Sequence, residues 1–248
     1  MADDAGVERG EDDECLMLDE IFPVYESSVT DAGTPRPWST ITVRLVGSHP
    51  LWGHHLWNAA RALARYLERT PTLYRGLNVL ELGAGAGLPG LVVAKSGARN
   101  VVLTDYPDRA LVDNMAHNAA QNGVAHVVAV RGYVWGRPVE PLSARGAKFD
   151  LIILSDLIFN HSQHRALLWT CERVVAPRGC VLVFFTHHRP PLAQRDMAFF
   201  EMARETGWAC EKVLTERFAP MFPEDAGEEE VRSTVHGWKL TRVSGGGD

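Results

Sequence analysis

The sequence predicts an α/β fold, a three-layer sandwich in which helices cover both faces of a mostly parallel β-sheet. Short apolar runs alternate with amphipathic stretches along most of the chain, which is the pattern of strand–helix–strand units. Residues 149–155 form an apolar run of the kind expected for a central strand that is buried on both faces. With 248 residues, 46% of them hydrophobic and 23% charged, the chain is long enough for one large domain with a buried core.

The N-terminal part predicts a leader, an arm and a helix. Residues 1–14 are acidic and poor in apolar side chains, so we expect a disordered leader. Residues 15–70 form the next unit, an arm that crosses the core surface and then a helix. Within this arm, 40–46 alternates polar and apolar residues like a half-exposed strand. Apolar residues at 56, 59, 60, 63, 64 and 67 predict the helix, which runs to about residue 68.

Residues 71–243 are predicted to form the core, and residues 244–248 a tail. The core strands are expected near 77–82, 100–105, 126–131, 149–155 and 180–186. The core helices are expected near 89–97, 108–121, 161–175 and 191–206, with Asn122 and Gly123 as a stop signal for the second. Two late strands, at about 208–217 and 231–243, flank an acidic loop as a terminal hairpin.

A glycine-rich turn follows the first core strand. Glycines stand at 83, 85 and 87, and Glu81 lies two residues before the first of them. The dinucleotide fingerprint G-x-G-x-x-G would require glycine at position 88, where the chain has Leu88, so a nicotinamide-dependent oxidoreductase is disfavoured. Asp105 lies 20 residues beyond Gly85, where a carboxylate can accept hydrogen bonds from both hydroxyls of a ribose. The turn and this carboxylate predict a ribose-bearing ligand, against the alternative of a purely structural turn.

The E-x-G-x-G-x-G spacing resembles motif I of the class I methyltransferases, which use S-adenosyl-L-methionine. The resemblance implies a Rossmann-like fold with a seven-stranded, mostly parallel sheet whose last strand is antiparallel. It also implies S-adenosyl-L-methionine as the cofactor. No pyrophosphate has to be bound in this cofactor, so the loop only has to make room for an amino acid and a ribose.

Two tryptophans are candidates for contact with this cofactor. Trp135 stands between two glycines after the third core strand, where a large aromatic side chain can cover adenine. Trp57 opens the helix before the glycine turn and could line the methionine end, because a sulfonium cation is attracted to an aromatic face. Packing in the core is the alternative for both side chains.

The end of the central strand carries the candidate substrate residues. Asp156 and Phe159 have the form D-x-x-[YF], in which the carboxylate can hold an incoming amine and the aromatic ring can wall a channel. His161 is a further candidate for the substrate side, although it could also be a helix residue with no chemical role. The N-P-P-Y signature of adenine and glutamine amide methyltransferases is absent here, which argues against those substrates.

Six segments together resemble the lysine-directed, seven-strand protein methyltransferases, over roughly residues 20–243. More narrowly, they resemble the fungal protein N-terminal and lysine N-methyltransferases of translation elongation factor 1A, a group formerly labelled nicotinamide N-methyltransferase-like. The segments are LWGHHLWNAA, ELGAGAGLPG, TDYPD, GYVWG, SDLIFNHSQH and FFTHHRP. The resemblance implies methylation of the N-terminal glycine and adjacent lysine of elongation factor 1A. It also implies that the cofactor contacts Trp57, Gly83, Ala84, Gly85, Gly87, Asp105, Tyr106, Trp135 and Ser155.

The chemistry of amine methylation assigns roles on the substrate side. An α-amine titrates at about 7.7–8.0 and a lysine near about 10.4, so the α-amine needs less help to become neutral. Asp156 alone would raise the pKa of a bound amine, so we expect Asp156 to position the amine and water to accept the proton. Two alternatives stay open, a small-molecule methyltransferase of nicotinamide type and a catalytically silent cofactor-binding protein.

Composition limits the partners and the compartment. The net charge of −6 disfavours nucleic acid as a partner. No apolar run approaches the roughly 20 residues of a membrane helix, and the acidic N-terminus is unlike a signal peptide. The four cysteines and ten histidines show no metal-ligand spacing, so we expect neither a metal nor disulfides. We therefore expect a monomer in the cytoplasm.

Overall fold

The computed structural model describes residues 23–27, 38–142 and 146–243. The predicted leader at 1–14, most of the arm at 15–37 and the tail at 244–248 lie outside the described residues. The described strands are β1 Val24–Glu26, β2 Thr40–Thr42, β3 Asn78–Leu82, β4 Asn100–Asp105, β5 Val128–Gly132, β6 Phe149–Ser155, β7 Val175–Thr186, β8 Trp208–Arg217 and β9 Thr234–Arg242. The described helices are α1 Asn58–Arg69, α2 Leu88–Lys95, α3 Arg109–Gln121, α4 His164–Val174, α5 Ala193–Glu205 and α6 Glu229–Ser233.

Seven of these strands form one sheet in the order β5-β4-β3-β6-β7-β9-β8. The pairs from β5 to β7 are all parallel, whereas β9 runs antiparallel to both β7 and β8. The last strand of the chain is thus the antiparallel one. The order in which the chain adds strands to the sheet reverses between β3 and β6, because β3 is followed by β4 on one side and β6 is followed by β7 on the other. A ligand site is expected at this switch point, beyond the carboxyl ends of the strands.

Helices cover both faces of the sheet, because successive side chains of a strand point to opposite sides. Val79 of β3 faces a core shared with α1, α2 and α3, whereas the neighbouring Leu80 faces a second core shared with α4 and α5. In β6 the same alternation places Leu151 in the first core and Ile152 in the second. The predicted Rossmann-like three-layer sandwich is confirmed.

Several element boundaries differ from the sequence-based prediction by two residues or more, and three of these differences involve β2, β7 and α6. β2 ends at Thr42, not at residue 46, because the backbone beyond it pairs with asparagine side chains of α3 and not with a strand. β7 begins at Val175, not at residue 180, because β7 bulges between Val175 and Cys180, opposite Phe149 and Leu151 of β6, and the bulge accommodates the proline and glycine that suggested a break. The short helix α6 lies where the sequence predicted the beginning of the last strand.

Within the described part of the chain, we find no helix with both the length and the apolar character that crossing a membrane requires.

Candidate active site

A cavity of about 760 Å³ lies at the carboxyl ends of β3, β4 and β6. Its wall is built by the glycine turn after β3, the residues that follow β4, β5 and β6, and the segment before α1. Every site residue predicted from the sequence contributes to this wall: Trp57, Gly83, Ala84, Gly85, Gly87, Asp105, Tyr106, Trp135, Ser155, Asp156, Phe159 and His161. The predicted cofactor residues and the predicted substrate residues therefore share one space.

The glycine turn depends on a backbone conformation that residues with side chains rarely adopt. Gly83, Gly85 and Gly87 have φ angles of 61°, 56° and 80°. At Gly83 there is also no room, because an added Cβ would lie 2.6 Å from the Leu157 side chain and 3.0 Å from the Trp135 ring. At Gly85 an added Cβ would contact nothing within 4 Å, so the requirement there is the dihedral angle alone. The turn brings bare backbone to the cavity wall.

Asp105 is oriented by the backbone around it. Its Oδ2 accepts a hydrogen bond of 2.7 Å from the Gly85 N–H, and its Oδ1 accepts one of 2.7 Å from the Tyr106 N–H. Burial raises the pKa of Asp105, although these two hydrogen bonds oppose the rise. Each carboxylate oxygen can accept a further hydrogen bond. Two ribose hydroxyls would supply such donors, so the donor and acceptor pattern fits the cofactor that motif I implies.

Glu81 lies beneath the turn and is fully buried. Its Oε2 accepts a hydrogen bond of 2.8 Å from the Gly90 N–H in the first turn of α2, and its Oε1 has no hydrogen-bond partner among the described residues. Burial raises the pKa of Glu81 to about 8. Glu81 is therefore mostly protonated at neutral pH and joins the strand to the helix as a neutral group.

Aromatic side chains enclose the cavity at two places. The Trp135 ring lies against the glycine turn at Gly83, as the close approach of a Cβ there shows. At the other place, the Trp57 ring lies 4.9 Å from the His188 ring and 6.0 Å from the Phe222 ring, both edge-on. Trp57 is thereby close to the end of the cavity that carries Asp156.

Asp156 follows β6 in a left-handed conformation with a φ angle of 58°. Such a conformation is uncommon for a residue other than glycine, although aspartate tolerates it better than most. Asp156 is only 5% exposed, and its carboxylate is held from two sides. The Thr186 N–H donates to Oδ1 at 3.3 Å, and His188 Nε2 lies 3.0 Å from both oxygens.

His188 is a site residue that sequence reasoning missed. Burial disfavours its charged form, but the attraction and hydrogen bond of Asp156, with smaller contributions from Asp196 and Asp225, outweigh burial and raise the pKa of His188. In the sequence, His188 is one of ten histidines that show no metal-ligand spacing. Its segment FFTHHRP was part of the family resemblance, and that was the one available signal.

Asp196, a further carboxylate in the cavity wall, was also missed. It lies in the first turn of α5 and contacts two histidines from other parts of the chain, His161 and His187, each at 2.6 Å. Nothing in the local sequence marks this aspartate. Among residues 23–27, 38–142 and 146–243, we find no group of three or more His, Cys, Asp or Glu side chains arranged to hold a metal ion.

Comparisons with known proteins identify the family of this chain. A family profile described as lysine methyltransferase matches residues 45–206. A protein N-terminal and lysine N-methyltransferase EFM7 from Schizosaccharomyces pombe is 50% identical over 88% of this chain and 89% of its own length. The protein of the same name from Cryptococcus neoformans is 44% identical over 95% of this chain and 92% of its own length.

Solved structures share the fold at low sequence identity. The YcgJ protein of Bacillus subtilis superposes with a TM-score of 0.59 at 14% identity, over 74% of this chain and 99% of its own. The O-methyltransferase TomG from Streptomyces achromogenes, in complex with SAM, superposes with a TM-score of 0.53 at 16% identity, over 81% of this chain and 92% of its own. Identities this low support the fold only. The family profile and the fungal relatives, in contrast, show the family. The chain belongs to the lysine methyltransferase family, which includes relatives named protein N-terminal and lysine N-methyltransferases.

Proposed function

We propose that this protein uses S-adenosyl-L-methionine to methylate the N-terminal glycine α-amine and the adjacent lysine of translation elongation factor 1A. The single observation that carries the proposal is one cavity whose wall contains both Asp105, beside the glycine turn, and Asp156, beyond β6. The printed names of the fungal relatives support amine acceptors of both kinds, at a protein N-terminus and on lysine. The GYVWG and SDLIFNHSQH segments support elongation factor 1A as the substrate through the family resemblance.

The cofactor side of the cavity is assigned by its polar and aromatic groups. Asp105 would accept hydrogen bonds from the ribose, the 83–87 turn would make room for the amino acid and ribose, and Trp135 would cover the adenine. Tyr106 and Ser155 complete this side, because both lie directly at the carboxyl ends of strands that lead into the cavity. S-adenosyl-L-methionine, when bound, supplies a methyl group that is already activated on a sulfonium.

The substrate side of the cavity receives the amine. Asp156 holds the incoming ammonium group, and Phe159, which is 44% exposed, forms part of the channel wall. Trp57 lies beside the His188 partner of Asp156, which places its ring near the reacting groups. Alignment of an amine with an activated methyl group can by itself give a large acceleration. We therefore assign Asp156 to positioning of the amine.

We also propose that the protein acts as a monomer in the cytoplasm. Cys171 and Cys180 are buried as free thiols, which suits a reducing compartment. Burial raises the pKa of the Cys171 thiol to about 12, so it stays uncharged and unreactive at neutral pH.

Methyl transfer to a synthetic peptide tests the proposed function. The purified protein is incubated with labelled S-adenosyl-L-methionine and a peptide that begins Gly-Lys, and the products are located by mass spectrometry. We expect methyl groups on the α-amine and on the lysine, and none on nicotinamide supplied in a parallel reaction. Asp156→Asn should lower the turnover of the peptide about 100-fold, because an amide cannot hold an ammonium ion as a carboxylate does.

The controls separate the parts of this proposal. Binding of S-adenosyl-L-methionine, measured by calorimetry, should survive Asp156→Asn and be lost in Asp105→Ala. Transfer to nicotinamide but not to the peptide would contradict a protein substrate. Full peptide turnover in Asp156→Asn would contradict the positioning role, and a wild-type protein that does not bind the cofactor would contradict the proposal as a whole.

A further inference from the structure

We propose that His161, oriented by Asp196, is the base that removes the proton from the acceptor amine. The inference deepens the proposed function and depends on it, because it concerns the same cavity and the same amine. It replaces the expectation that bulk water accepts the proton. His161 is then a catalytic residue, and Asp196 is a positioning residue that acts through it.

Three elements meet at Asp196. His161 comes from the 3₁₀ turn His161–Gln163 after β6, Asp196 from the first turn of α5, and His187 from the end of β7. Asp196 Oδ1 lies 2.6 Å from His161 Nε2, and its Oδ2 lies 2.6 Å from His187 Nδ1. Asp196 is 4% exposed, so these two imidazoles replace the water that an ionised carboxylate needs.

The contact with Asp196 fixes the tautomer of His161. An ionised carboxylate only accepts hydrogen bonds, so Nε2 of His161 must carry the hydrogen that points to Asp196. The other ring nitrogen of neutral His161, Nδ1, then has a free lone pair. A base held by a buried carboxylate in this way is the arrangement that catalytic histidines use elsewhere. The His161 side chain keeps 18% of its surface exposed and lies in the wall of the cavity that holds Asp156.

Further titratable groups surround this pair of residues. His164 of α4 lies edge-on at 5.6 Å from the His161 ring, and burial lowers the pKa of His164. The His236 ring of β9 lies 5.2 Å from His187, and burial, with His187 and Lys212, lowers the pKa of His236 to about 4. Both therefore stay neutral at pH 7. Across the same cavity lie Asp156 and its partner His188.

The proposed step is a single proton transfer. The acceptor enters as an ammonium ion held by Asp156, one of its N–H bonds breaks, and a new N–H bond forms at His161 Nδ1. The positive charge moves from the amine to the imidazole ring, where the carboxylate of Asp196 stabilises it. The neutral amine keeps the lone pair that attacks the methyl group. After transfer, the exposed part of the His161 ring returns the proton to solvent.

The need for a base differs between the two proposed acceptors. At pH 7 roughly one α-amine in seven is neutral, compared with about one lysine in 2,500. Asp156 increases the need for a base, because a nearby carboxylate favours the charged form of either amine and lowers its neutral fraction. A base inside the cavity therefore matters more for the lysine than for the α-amine.

A pH series on His161→Asn tests the inference. We measure kcat between pH 6.5 and 9.5 on two peptides, one with a free N-terminal glycine and one with a blocked α-amine and a free lysine. At pH 7 the variant should lose about tenfold on the α-amine and at least about 100-fold on the lysine. Both deficits should shrink as the pH rises, because a growing fraction of amine is neutral without help. Asp196→Asn should show the same trend, because an amide no longer holds the hydrogen of His161 on Nε2.

Controls distinguish a base from a structural role. His126→Asn, at an exposed histidine outside the cavity, should keep wild-type rates at every pH, and melting temperatures should show that all variants are folded. Nitrogen NMR shifts of the wild-type protein should show His161 with its hydrogen on Nε2. A deficit of His161→Asn that is the same at every pH and for both amines, or a hydrogen on Nδ1, would overturn the inference. Absence of any transfer by the wild-type protein would instead overturn the proposed function.

Discussion

Two carboxyl groups of this site, Asp105 and Glu81, differ in the hydrogen-bond donors around them. Asp105 accepts hydrogen bonds from two backbone N–H groups and keeps capacity for a ligand, whereas buried Glu81 accepts one and leaves its other oxygen without a partner among the described residues. Burial raises the pKa of both, and for Glu81 the value reaches about 8. A carboxyl group can thus serve as a hydrogen-bond acceptor for a ligand at Asp105 and as a neutral group that joins β3 to α2 at Glu81.

The raised pKa of Glu81 makes stability depend on pH. Between pH 4.5, the ordinary value, and about 8, the unfolded chain loses the Glu81 proton while the folded protein keeps it. The folded state therefore binds more protons, and its stability falls as the pH rises through this window. The Glu81→Gln variant keeps an oxygen acceptor for the Gly90 N–H but cannot ionise. Its stability should therefore not show the decrease with rising pH that Glu81 causes.

Chemical denaturation at pH 5 and pH 8 checks this expectation. From pH 5 to pH 8, the free energy of unfolding of the wild type should fall by on the order of 3 kcal/mol more than that of the Glu81→Gln variant. Other titrating groups cancel in the difference because both proteins contain them. Parallel stability curves for the two proteins would mean that Glu81 is ionised in the folded state.

At the scale of elements, α3 acts as the partner of a backbone segment that would otherwise need a strand. Asn118 accepts a hydrogen bond from the Arg44 N–H at 2.7 Å and donates to the Arg44 carbonyl at 2.9 Å and to the Ala86 carbonyl at 3.0 Å. Asn122, one turn later, makes the corresponding pair of bonds with Thr42. The helix thereby connects the segment before α1 to the glycine turn.

Asn118→Ala tests this connection. The loss of three hydrogen bonds, one of them fully buried, should cost about 2–3 kcal/mol in free energy of unfolding. The dissociation constant of S-adenosyl-L-methionine should also rise severalfold, because the Ala86 carbonyl in the glycine turn loses a donor. His117→Ala, at the exposed neighbouring position on the same helix, is the matched control and should change neither quantity. Reduced stability with unchanged cofactor binding would show that Asn118 does not support the turn.

At the scale of the whole molecule, the sequence predicted what local patterns determine. The bounds of β6 and β8 were predicted because β6 is a continuous apolar run and Gly207 stands directly before β8, whereas the seven-stranded architecture followed from the family resemblance. The predicted bounds of β2 and β7 were wrong at one end of each strand, since these ends depend on α3 and on a bulge within β7. Of the two late strands, only the second began later than predicted, after α6.

In the candidate site, too, residues within local motifs could be predicted, whereas contacts between distant segments could not. The glycine turn, Asp105 and Asp156 lie in or next to motifs, so the sequence alone could place them at strand ends. The histidine that contacts Asp156 is 32 residues away along the chain, and the aspartate that contacts His161 is 35 residues away. Such pairs form only when β7 and α5 fold against β6, and no local pattern predicts them.

The central claim concerns the protein that this molecule methylates. Mass spectrometry of translation elongation factor 1A from cells that lack this protein tests it most directly. We expect the N-terminal peptide to lose methyl groups from its α-amine and adjacent lysine, and to regain them with the wild-type protein but not with Asp156→Asn at equal abundance. An N-terminal peptide with unchanged methylation in the deleted cells would contradict the assignment.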